Sequence, residues 1–355
     1  MNSPILSAQL HQYKKPLVLD HVTKPCVNHD EEVLVKVGAA GLCHSDLHLI
    51  NGEWQALIPL NLPKTPGHEV AGWVEVTGKS VPGDILKPGD LVTVFGGWGC
   101  GICIYCKGGD EQMCRFAKWP GLSSYDGGFS EYILVPSYRF LVKVEKNLHT
   151  NPEVLAPLTD AGLTPYRAIK KVRHLLGPGK SIGIIGIGGL GSYGVQYAKI
   201  LGSGSHVLAF DRKDQKLELA KKCGADYLIN MGKGQGFNKE VMDITSGKGI
   251  DVIIDCVGAE NTISDSARVI GKSGTIVLVG LFGKHIKIPL ALSVLNEYKV
   301  FGSLWGNYNE LREVIELQSQ GKIKNYLTKF KLEEINGAID LLKQGEIVGR
   351  GIIVP

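Results

Sequence analysis

The sequence predicts an α/β protein with two domains, one rich in β-strands and one built around a doubly wound parallel sheet. A chain of 355 residues is long enough for two hydrophobic cores. From residue 32 to about residue 138, glycine and proline separate short apolar segments, a pattern typical of strands and turns. From residue 180 onward, apolar segments alternate with amphipathic helical segments, which indicates parallel strands joined by right-handed crossovers.

The individual elements follow from this pattern in chain order. In the first part, the apolar segments 33–37, 71–76, 91–95 and 132–135 predict strands of a barrel-like or irregular sheet. In the second part, we predict strands at 181–187, 206–211, 227–230, 251–257 and 274–281, and helices at 190–201, 215–223, 237–245 and 261–270. An apolar segment at 300–304, two helices at 308–318 and 332–343, and a strand at 352–354 could extend the second sheet or return to the first domain.

Composition excludes several classes of protein. The 39 Lys and Arg residues against 35 Asp and Glu residues leave a net charge of +4, without a basic block of the kind that binds nucleic acid. No apolar run approaches the roughly 18 residues that span a bilayer, and the amino terminus lacks a basic segment followed by an apolar one. We therefore expect a soluble, cytoplasmic protein that binds neither nucleic acid nor membrane and keeps its thiols reduced.

Four cysteines stand close together with the spacing C-x2-C-x2-C-x7-C: Cys100, Cys103, Cys106 and Cys114. Such spacing is typical of a closed zinc site, in which four thiolates surround the ion and leave no position for a substrate. Unrelated buried cysteines or a disulfide pair are the alternatives, and the second is disfavoured in a reducing compartment. The cluster therefore predicts a structural zinc site that stabilises a surface lobe.

A glycine-rich run, Gly186-Ile187-Gly188-Gly189-Leu190-Gly191, follows the apolar segment 182–185 and opens a predicted helix. This is the context in which G-x-G-x-x-G binds the pyrophosphate of a dinucleotide in a Rossmann fold, at the helix N-terminus. Asp211 ends the next predicted strand, where a carboxylate accepts hydrogen bonds from the adenosine ribose and repels a 2'-phosphate. The sequence thus favours NAD over NADP, although Arg212 and Lys213 leave room for both.

Two further runs make a family recognisable. They are Gly41-Leu42-Cys43-His44-Ser45-Asp46-Leu47-His48, and Gly67-His68-Glu69-Val70-Ala71-Gly72 continuing to Gly78 and Val81. With the cysteine cluster and the glycine-rich run, the chain resembles the zinc-containing medium-chain alcohol dehydrogenases along essentially its whole length. The resemblance implies a GroES-like catalytic domain of residues 1–158 with 299–355, and a Rossmann NAD-binding domain of residues 159–298. It also implies two zinc ions per subunit and a homodimer or homotetramer.

The resemblance also implies a catalytic zinc, which needs three protein ligands and an open position. Cys43 and His68 match the first two ligands, and Asp46 would hold the His68 ring. The family commonly has a second cysteine where this chain has Asp160, whose carboxylate carries the same charge. Glu69, which coordinates zinc in polyol-oxidising relatives, is the alternative third ligand. Asp160 is the favoured one.

By the same resemblance, substrate alcohol gives its proton to a relay and its hydride to the nicotinamide. Ser45 matches the hydroxyl that contacts the substrate oxygen, and His48 matches the histidine that passes the proton to solvent, unless it is an ordinary surface histidine. The remaining residues that match cofactor-binding positions are His44, Gly186, Gly188, Gly189, Leu190, Gly191, Asp211, Arg212, Lys216, Val257, Val279, Leu281, Ser303, Trp305 and Arg350.

The substrate is less well defined by the sequence. An apolar pocket would suit small primary or secondary alcohols and their aldehydes or ketones, and its candidate lining residues are Trp54, Leu57, Phe95, Trp119 and Leu122. A polyol or sugar dehydrogenase of the same superfamily is the nearer alternative. A non-catalytic nucleotide-binding relative is the other, but such a protein would be expected to have lost the metal ligands that this chain retains.

Overall fold

Strands and helices cover most of residues 3–234 and 236–355, the part of the chain that the computed structural model describes. The strands are β1 Pro4–Gln9, β2 Val18–Thr23, β3 Val33–Leu42, β4 Glu69–Thr77, β5 Leu91–Val94, β6 Tyr132–Val135, β7 Leu141–Lys143, β8 Ser181–Ile185, β9 His206–Asp211, β10 Tyr227–Asn230, β11 Ile250–Asp255, β12 Ile270–Leu278, β13 Lys299–Gly302, β14 Leu327–Lys331 and β15 Arg350–Val354.

Six of the α-helices in the described part of the chain were predicted, each to within three residues of its observed ends. They are α1 His44–Ile50, α2 Ile104–Lys107, α3 Pro152–Leu155, α4 Leu163–Val172, α5 Gly189–Leu201, α6 Asp214–Lys222, α7 Phe237–Ile244, α8 Glu260–Val269, α9 Leu290–Asn296, α10 Tyr308–Ser319 and α11 Ile335–Gln344. Short 3-10 turns lie at Glu111–Met113, Tyr138–Phe140, Ala156–Thr159, Arg173–Leu175, Met231–Lys233 and Leu332–Glu334. None of the helices in the described part of the chain combines the length and apolar composition needed to cross a membrane.

The chain divides into two compact units, Met1–Leu163 with Gly306–Pro355, and Thr164–Trp305. These limits differ from the predicted ones at both junctions. The segment 159–163 lies in the first unit, where the Ala161 N–H donates to Glu69 on β4 at 2.9 Å. The segment 299–305 lies in the second unit, because β13 pairs in parallel with β12. Assigning the units as functional domains remains a prediction.

The second unit contains a parallel sheet in the order β10-β9-β8-β11-β12-β13. Counted along the chain, this is the 3-2-1-4-5-6 order of a Rossmann sheet, so the predicted doubly wound fold is confirmed. Every side chain of β8 is buried, as expected for a central strand covered on both faces. Ile185, Leu208, Phe210 and Ile253 belong to the core that the helices cover.

The first unit is built around β3, which pairs with β4, β6 and β15 in a mostly antiparallel sheet. The carboxy-terminal strands β14 and β15 join this sheet, whereas β13 extends the sheet of the second unit. The two possibilities that the sequence left open for residues after 299 are therefore both realised, each for a different segment. Strands β1, β2, β7 and β14 were not predicted. In β2 and β14, charged residues interrupt the apolar ones, and neither strand carries a buried residue.

Candidate metal centre and nucleotide site

The candidate catalytic metal residues converge because β3 and β4 are antiparallel neighbours. Cys43 follows the carboxyl end of β3, and His68 precedes the start of β4. Within this pair Gly41 lies opposite Glu69, which brings the two strand ends together. Asp160 comes from the turn that follows the short helix Ala156–Thr159.

The spacing of the ligand atoms fits a tetrahedral zinc ion. Asp160 Oδ2 lies 3.7 Å from Cys43 Sγ and 3.2 Å from His68 Nε2. Zinc–ligand bonds of about 2.3 Å to sulfur and about 2.1 Å to nitrogen or oxygen would place these atom pairs about 3.6 and 3.4 Å apart. One thiolate, one carboxylate and one imidazole also neutralise the charge of the ion. The residues present therefore fit a zinc ion with one open position.

Asp46 orients the histidine of this centre. Its Oδ1 lies 3.2 Å from His68 Nδ1, and its Oδ2 accepts the Cys43 N–H at 2.9 Å, so one buried carboxylate braces two candidate ligands. Burial alone would lower the pKa of His68, but Asp46 and Asp160 outweigh it and raise that pKa well above its usual value. Zinc and a proton thus compete strongly for Nε2.

Glu69 lies next to this cluster but is occupied by other partners. Arg350 donates from Nε to Oε2 at 2.9 Å and from Nη2 to Oε1, and Ala161 N–H also donates to Oε1. Burial raises the pKa of Glu69 to about 7, although Arg350 opposes this. A Cβ at position 41 would lie 1.7 Å from Glu69 Oε2, so only glycine at that position leaves room for the carboxylate. All four ligand atoms, including one from Glu69, lie within 4.8 Å of one another.

The predicted relay residues follow Cys43 on α1. Ser45 and His48 are three residues apart and therefore share one face of the helix. His48 is not an ordinary surface histidine: its side chain is only 13% exposed, and its Nδ1 lies 2.6 Å from Glu53 Oε2. The Trp54 ring stacks on the imidazole with 5.0 Å between ring centroids. His44, by contrast, is exposed.

The four clustered cysteines form a second candidate zinc site, in the segment that includes α2. Their sulfur atoms all lie within 4.8 Å of one another, with Cys103 and Cys106 3.5 Å apart and Cys100 and Cys106 4.0 Å apart. Four thiolates around one zinc ion would be about 3.8 Å apart. The backbone N–H groups of Ile102 and Cys103 lower the pKa of Cys100 to about 6, which favours the thiolate that binds metal. None of the described cysteines forms a disulfide.

The glycine-rich turn between β8 and α5 has the geometry that dinucleotide binding requires. Gly186 has a φ of +86°, and a Cβ there would lie 2.3 Å from Val257. A Cβ on Gly191 would lie 2.0 Å from the Gly186 carbonyl oxygen, so glycine permits the close approach of helix to turn. Gly188 has no heavy atom within 4 Å of its Cβ position, which leaves open space beside the start of α5.

Asp211 ends β9 beside this turn. Its Oδ2 accepts the Ile187 N–H at 2.8 Å, and its Oδ1 accepts the N–H groups of Arg212 and Lys213. Lys216 follows on α6 and is only 8% exposed, so it is not an ordinary solvated helix lysine. Burial lowers its pKa, against the opposing charge of Asp211.

The other predicted cofactor residues of the second unit lie after the strands of its sheet. Val279 and Leu281 follow β12, and the Val279 N–H donates to the Asp255 carbonyl oxygen at 3.0 Å. Ser303 and Trp305 follow β13, and both are buried, whereas Leu281 is 60% exposed. Arg350, like His44, is a predicted cofactor residue that lies in the first unit. Its side chain contacts Glu69 and Asp160, and its contact with the cofactor remains a prediction.

The residues that were predicted to line a substrate pocket differ in how far they are exposed. Phe95 and Leu122 are buried, Trp54 lies against His48, and Leu57 is 82% exposed. The Trp119 Nε1 atom is buried and makes no hydrogen bond within the described residues. That these residues line one apolar substrate pocket remains a prediction.

Sequence reasoning overlooked two carboxylates that organise these sites. Glu53 contacts His48, and its only signal in the sequence is the Asn51-Gly52 pair that turns the chain after α1. Asp255 is fully buried at the end of β11, where its side chain accepts from the N–H groups of Val257 and Gly258 and from the Thr262 hydroxyl. It thereby fixes the turn that packs on Gly186.

Comparison with known proteins agrees with this geometry. Residues 29–146 match the family model of the alcohol dehydrogenase GroES-like domain, and residues 189–320 match that of zinc-binding dehydrogenases. The chain is 41% identical over 354 residues to an NAD-dependent alcohol dehydrogenase of Sulfurisphaera tokodaii, covering 98% of this chain and 99% of the relative. It is 34% identical over 351 residues to a D-arabinose 1-dehydrogenase (NADP(+)) of Saccharolobus solfataricus, covering 98% and 97%.

Among solved structures, the alcohol dehydrogenase of the hyperthermophilic archaeon Aeropyrum pernix superposes with a TM-score of 0.92. That protein is 37% identical to this chain, and the match covers 99% of this chain and 100% of the other. Both the GroES-like and the zinc-binding dehydrogenase models are thus matched, and the similarity extends over the full length. The chain belongs to the zinc-containing medium-chain alcohol dehydrogenase family.

Proposed function

We propose that the protein is an NAD-dependent zinc alcohol dehydrogenase that interconverts primary or secondary alcohols and the corresponding aldehydes or ketones. The observation that carries this proposal is the cluster of Cys43 Sγ, His68 Nε2 and Asp160 Oδ2, whose spacing suits a zinc ion with an open position. A bound zinc ion would act as a Lewis acid on the substrate oxygen and make the substrate hydroxyl more acidic.

The chain's own residues have distinct tasks in this proposal. Cys43, His68 and Asp160 are the zinc ligands, and Asp46 keeps Nε2 of His68 directed at the metal. Asp160 is preferred to Glu69 as the third ligand, because its Oδ2 contacts both other ligands while both Glu69 oxygens accept from Arg350.

Ser45 and His48 would move the substrate proton. Ser45 lies two residues after Cys43, and its hydroxyl can accept a proton from the substrate while donating its own. His48 lies on the same helix face and would take that proton onward to solvent through the nicotinamide ribose, since imidazole titrates near neutral pH. The four cysteines Cys100, Cys103, Cys106 and Cys114 would hold a second zinc ion that is purely structural.

NAD would be bound by the second unit and would accept the hydride. The N-terminus of α5 and the open space at Gly188 suit its pyrophosphate. Asp211, with Lys216 beside it on α6, suits the adenosine ribose and disfavours a 2'-phosphate. His44, Arg212, Val257, Val279, Leu281, Ser303, Trp305 and Arg350 complete the proposed cofactor contacts.

Initial rates with NAD and NADP across aliphatic alcohols, polyols, aldose sugars and simple aldehydes test the proposal, together with the zinc content of the protein. We expect the highest kcat/KM with NAD and a primary or secondary alcohol, and two zinc ions per chain. A D-arabinose dehydrogenase among the relatives keeps a sugar dehydrogenase as the second candidate, which a preference for aldoses or polyols would support. Zinc only in the cysteine lobe, with no turnover, would favour a non-catalytic protein.

We further propose that the enzyme works in the cytoplasm as a homodimer or homotetramer. Exposed apolar side chains in the second unit support association: Leu281, Phe282, Leu290, Val294 and Leu295 are each at least 60% exposed. Sedimentation analysis at several protein concentrations would test the oligomeric state.

A further inference from the structure

The segment after α1 turns back onto the helix in a way that places Glu53 beside His48. The Gly52 N–H donates to the Leu49 carbonyl at 2.9 Å, and the Glu53 N–H donates to the His48 carbonyl at 3.0 Å. These two bonds define a Schellman motif, in which Gly52 has a φ of +71°. In this motif the residue after the glycine faces the residue five positions earlier, so Glu53 faces His48.

The two side chains are hydrogen-bonded. Glu53 Oε2 lies 2.6 Å from His48 Nδ1, and Asn51 Nδ2 donates to Glu53 Oε1 at 3.1 Å. A glutamate that is 40% exposed is ionised near neutral pH, and an ionised carboxylate can only accept. Nδ1 must therefore carry the hydrogen of this bond. In the neutral ring the lone pair is then on Nε2.

We propose that Glu53 is a positioning residue for proton transfer, because it holds His48 in the tautomer whose Nε2 accepts the substrate proton. This inference rests on the relay proposed above. The proton leaves the substrate hydroxyl by way of Ser45, binds Nε2 of His48 and passes to solvent from the imidazolium, while Glu53 remains a carboxylate throughout. Stacking by Trp54 restrains the same ring from one face.

The test compares Glu53→Ala, Glu53→Gln, His48→Gln and the double variant Glu53→Ala/His48→Gln in the zinc- and NAD-loaded enzyme. We expect Glu53→Ala to lower kcat by about tenfold, by analogy with the loss of activity when a carboxylate that orients a metal-bound histidine is removed. Glu53→Gln keeps an acceptor oxygen and should lie between the Ala variant and the unsubstituted enzyme. Because Glu53 would act only through His48, the double variant should be no slower than His48→Gln.

A control is the pair of His11 and Asp20 elsewhere in the first unit, a histidine and a carboxylate that are hydrogen-bonded through Nε2 of the ring. Asp20→Asn should leave kcat unchanged. A readout independent of turnover is the nitrogen-15 spectrum of the histidine rings in the protein without NAD. It should show the His48 hydrogen on Nδ1, and a mixture of both tautomers in Glu53→Ala.

The outcomes separate this inference from the proposed function. If His48→Gln turns over normally, the relay is wrong and the inference falls with it. If His48→Gln is slow but Glu53→Ala is not, only the inference is overturned. A double variant slowed by the product of the two single effects would likewise overturn it, as would an unchanged His48 tautomer in Glu53→Ala.

Discussion

Asp160 and Glu69 are both acidic residues of the candidate metal cluster, but their surroundings differ. Asp160 Oδ2 contacts Cys43 and His68, whereas Glu69 makes a buried ion pair with Arg350. A carboxylate that already accepts from a guanidinium has fewer lone pairs to offer a metal. The residue type alone could not distinguish them, because both stand near the candidate ligands and both can bind zinc.

Asp160→Ala should therefore remove the catalytic zinc ion. We expect the zinc content to fall from two ions per chain to one and turnover to be lost, while NAD binding measured by calorimetry is retained. Asp160→Cys restores an anionic ligand and should keep both zinc ions. Two zinc ions and full activity in Asp160→Ala would contradict the assignment.

Asp211→Gly tests the residue proposed to select the cofactor. Removing the carboxylate removes its repulsion of a 2'-phosphate, so the ratio of kcat/KM for NADP to that for NAD should rise by about tenfold or more. Asp214→Asn is the control, because Asp214 is an acidic residue nearby on α6 that bonds Asn230 instead of the glycine-rich turn. An unchanged cofactor ratio in Asp211→Gly would disprove the proposed ribose contact.

At the level of elements, the cysteine lobe combines four candidate zinc ligands with exposed apolar side chains. Around α2, the side chains of Ile102 and Ile104 are 78% and 80% exposed, so the segment buries little apolar surface of its own. A structural zinc ion can supply the missing free energy of folding. This zinc site would have no open position for a substrate, because the four cysteines supply all four ligands.

Cys103→Ser should remove the zinc of the lobe without altering the nucleotide site. We expect one zinc ion fewer per chain and an unfolding temperature lowered by at least about 5 °C, with the Kd for NAD unchanged. Cys26→Ser provides the control, since Cys26 is exposed and outside both clusters. Loss of turnover with unaltered heat stability would contradict the division between the two zinc sites.

Asp226 connects β9 with α5. Asp226 accepts from Lys199 Nζ at 2.9 Å and from the Val207 N–H at 2.7 Å. Burial opposes ionisation, but these donors outweigh it and lower the pKa of Asp226 below 3.8. Because the folded pKa lies below the unfolded one, this stabilisation is present above pH 3.8 and is lost as the pH falls through the folded value.

Asp226→Asn should accordingly reduce the free energy of unfolding at pH 7 by about 1 kcal/mol, since solvent screens a partly exposed pair. Urea unfolding between pH 3 and pH 7 measures the effect. The difference between the two proteins should shrink toward the acid end of this range. Asp243→Asn, on the exposed face of α7, should show no such difference at any pH. A constant difference across the range would refute the assignment to the ionised carboxylate.

At the scale of the whole molecule, the two proposed cofactors bind different units of the chain. The zinc ligands lie in Met1–Leu163 with Gly306–Pro355, and the glycine-rich turn lies in Thr164–Trp305. A ligand that binds only the folded state stabilises the segments that form its site. Zinc and NAD should therefore slow hydrogen exchange in different segments of the chain.

Hydrogen exchange followed by mass spectrometry would measure the protection of each segment by each ligand. Adding zinc to protein treated with a chelator should slow exchange at 43–69 and 100–114. Adding NAD should slow exchange at 181–191 and 206–216. Protein with neither ligand is the reference state. If NAD left the segments 181–191 and 206–216 unprotected, the nucleotide site would be misplaced.

Local patterns in the sequence predicted nearly all of the second sheet, along with the zinc and nucleotide motifs. Each strand of that sheet from β8 to β12 is a local apolar segment followed by a turn or a helix, so its signal lies in neighbouring residues. The cysteine cluster and the glycine-rich run are local for the same reason.

Contacts between residues far apart in the chain depend on how the strands pair and on the irregular turns between them. Glu69 and Arg350 are separated by 281 positions and meet because β15 returns to pair with β3 beside β4. Asp160 reaches His68 across 92 positions from an irregular turn that no periodicity predicts. Strand pairing and buried charge depend on the whole folded chain, whereas propensity and motif spacing depend on a few consecutive residues. That is why the motifs and their residue types could be predicted from the sequence, while the contacts of Glu69 with Arg350 and of Glu53 with His48 could not.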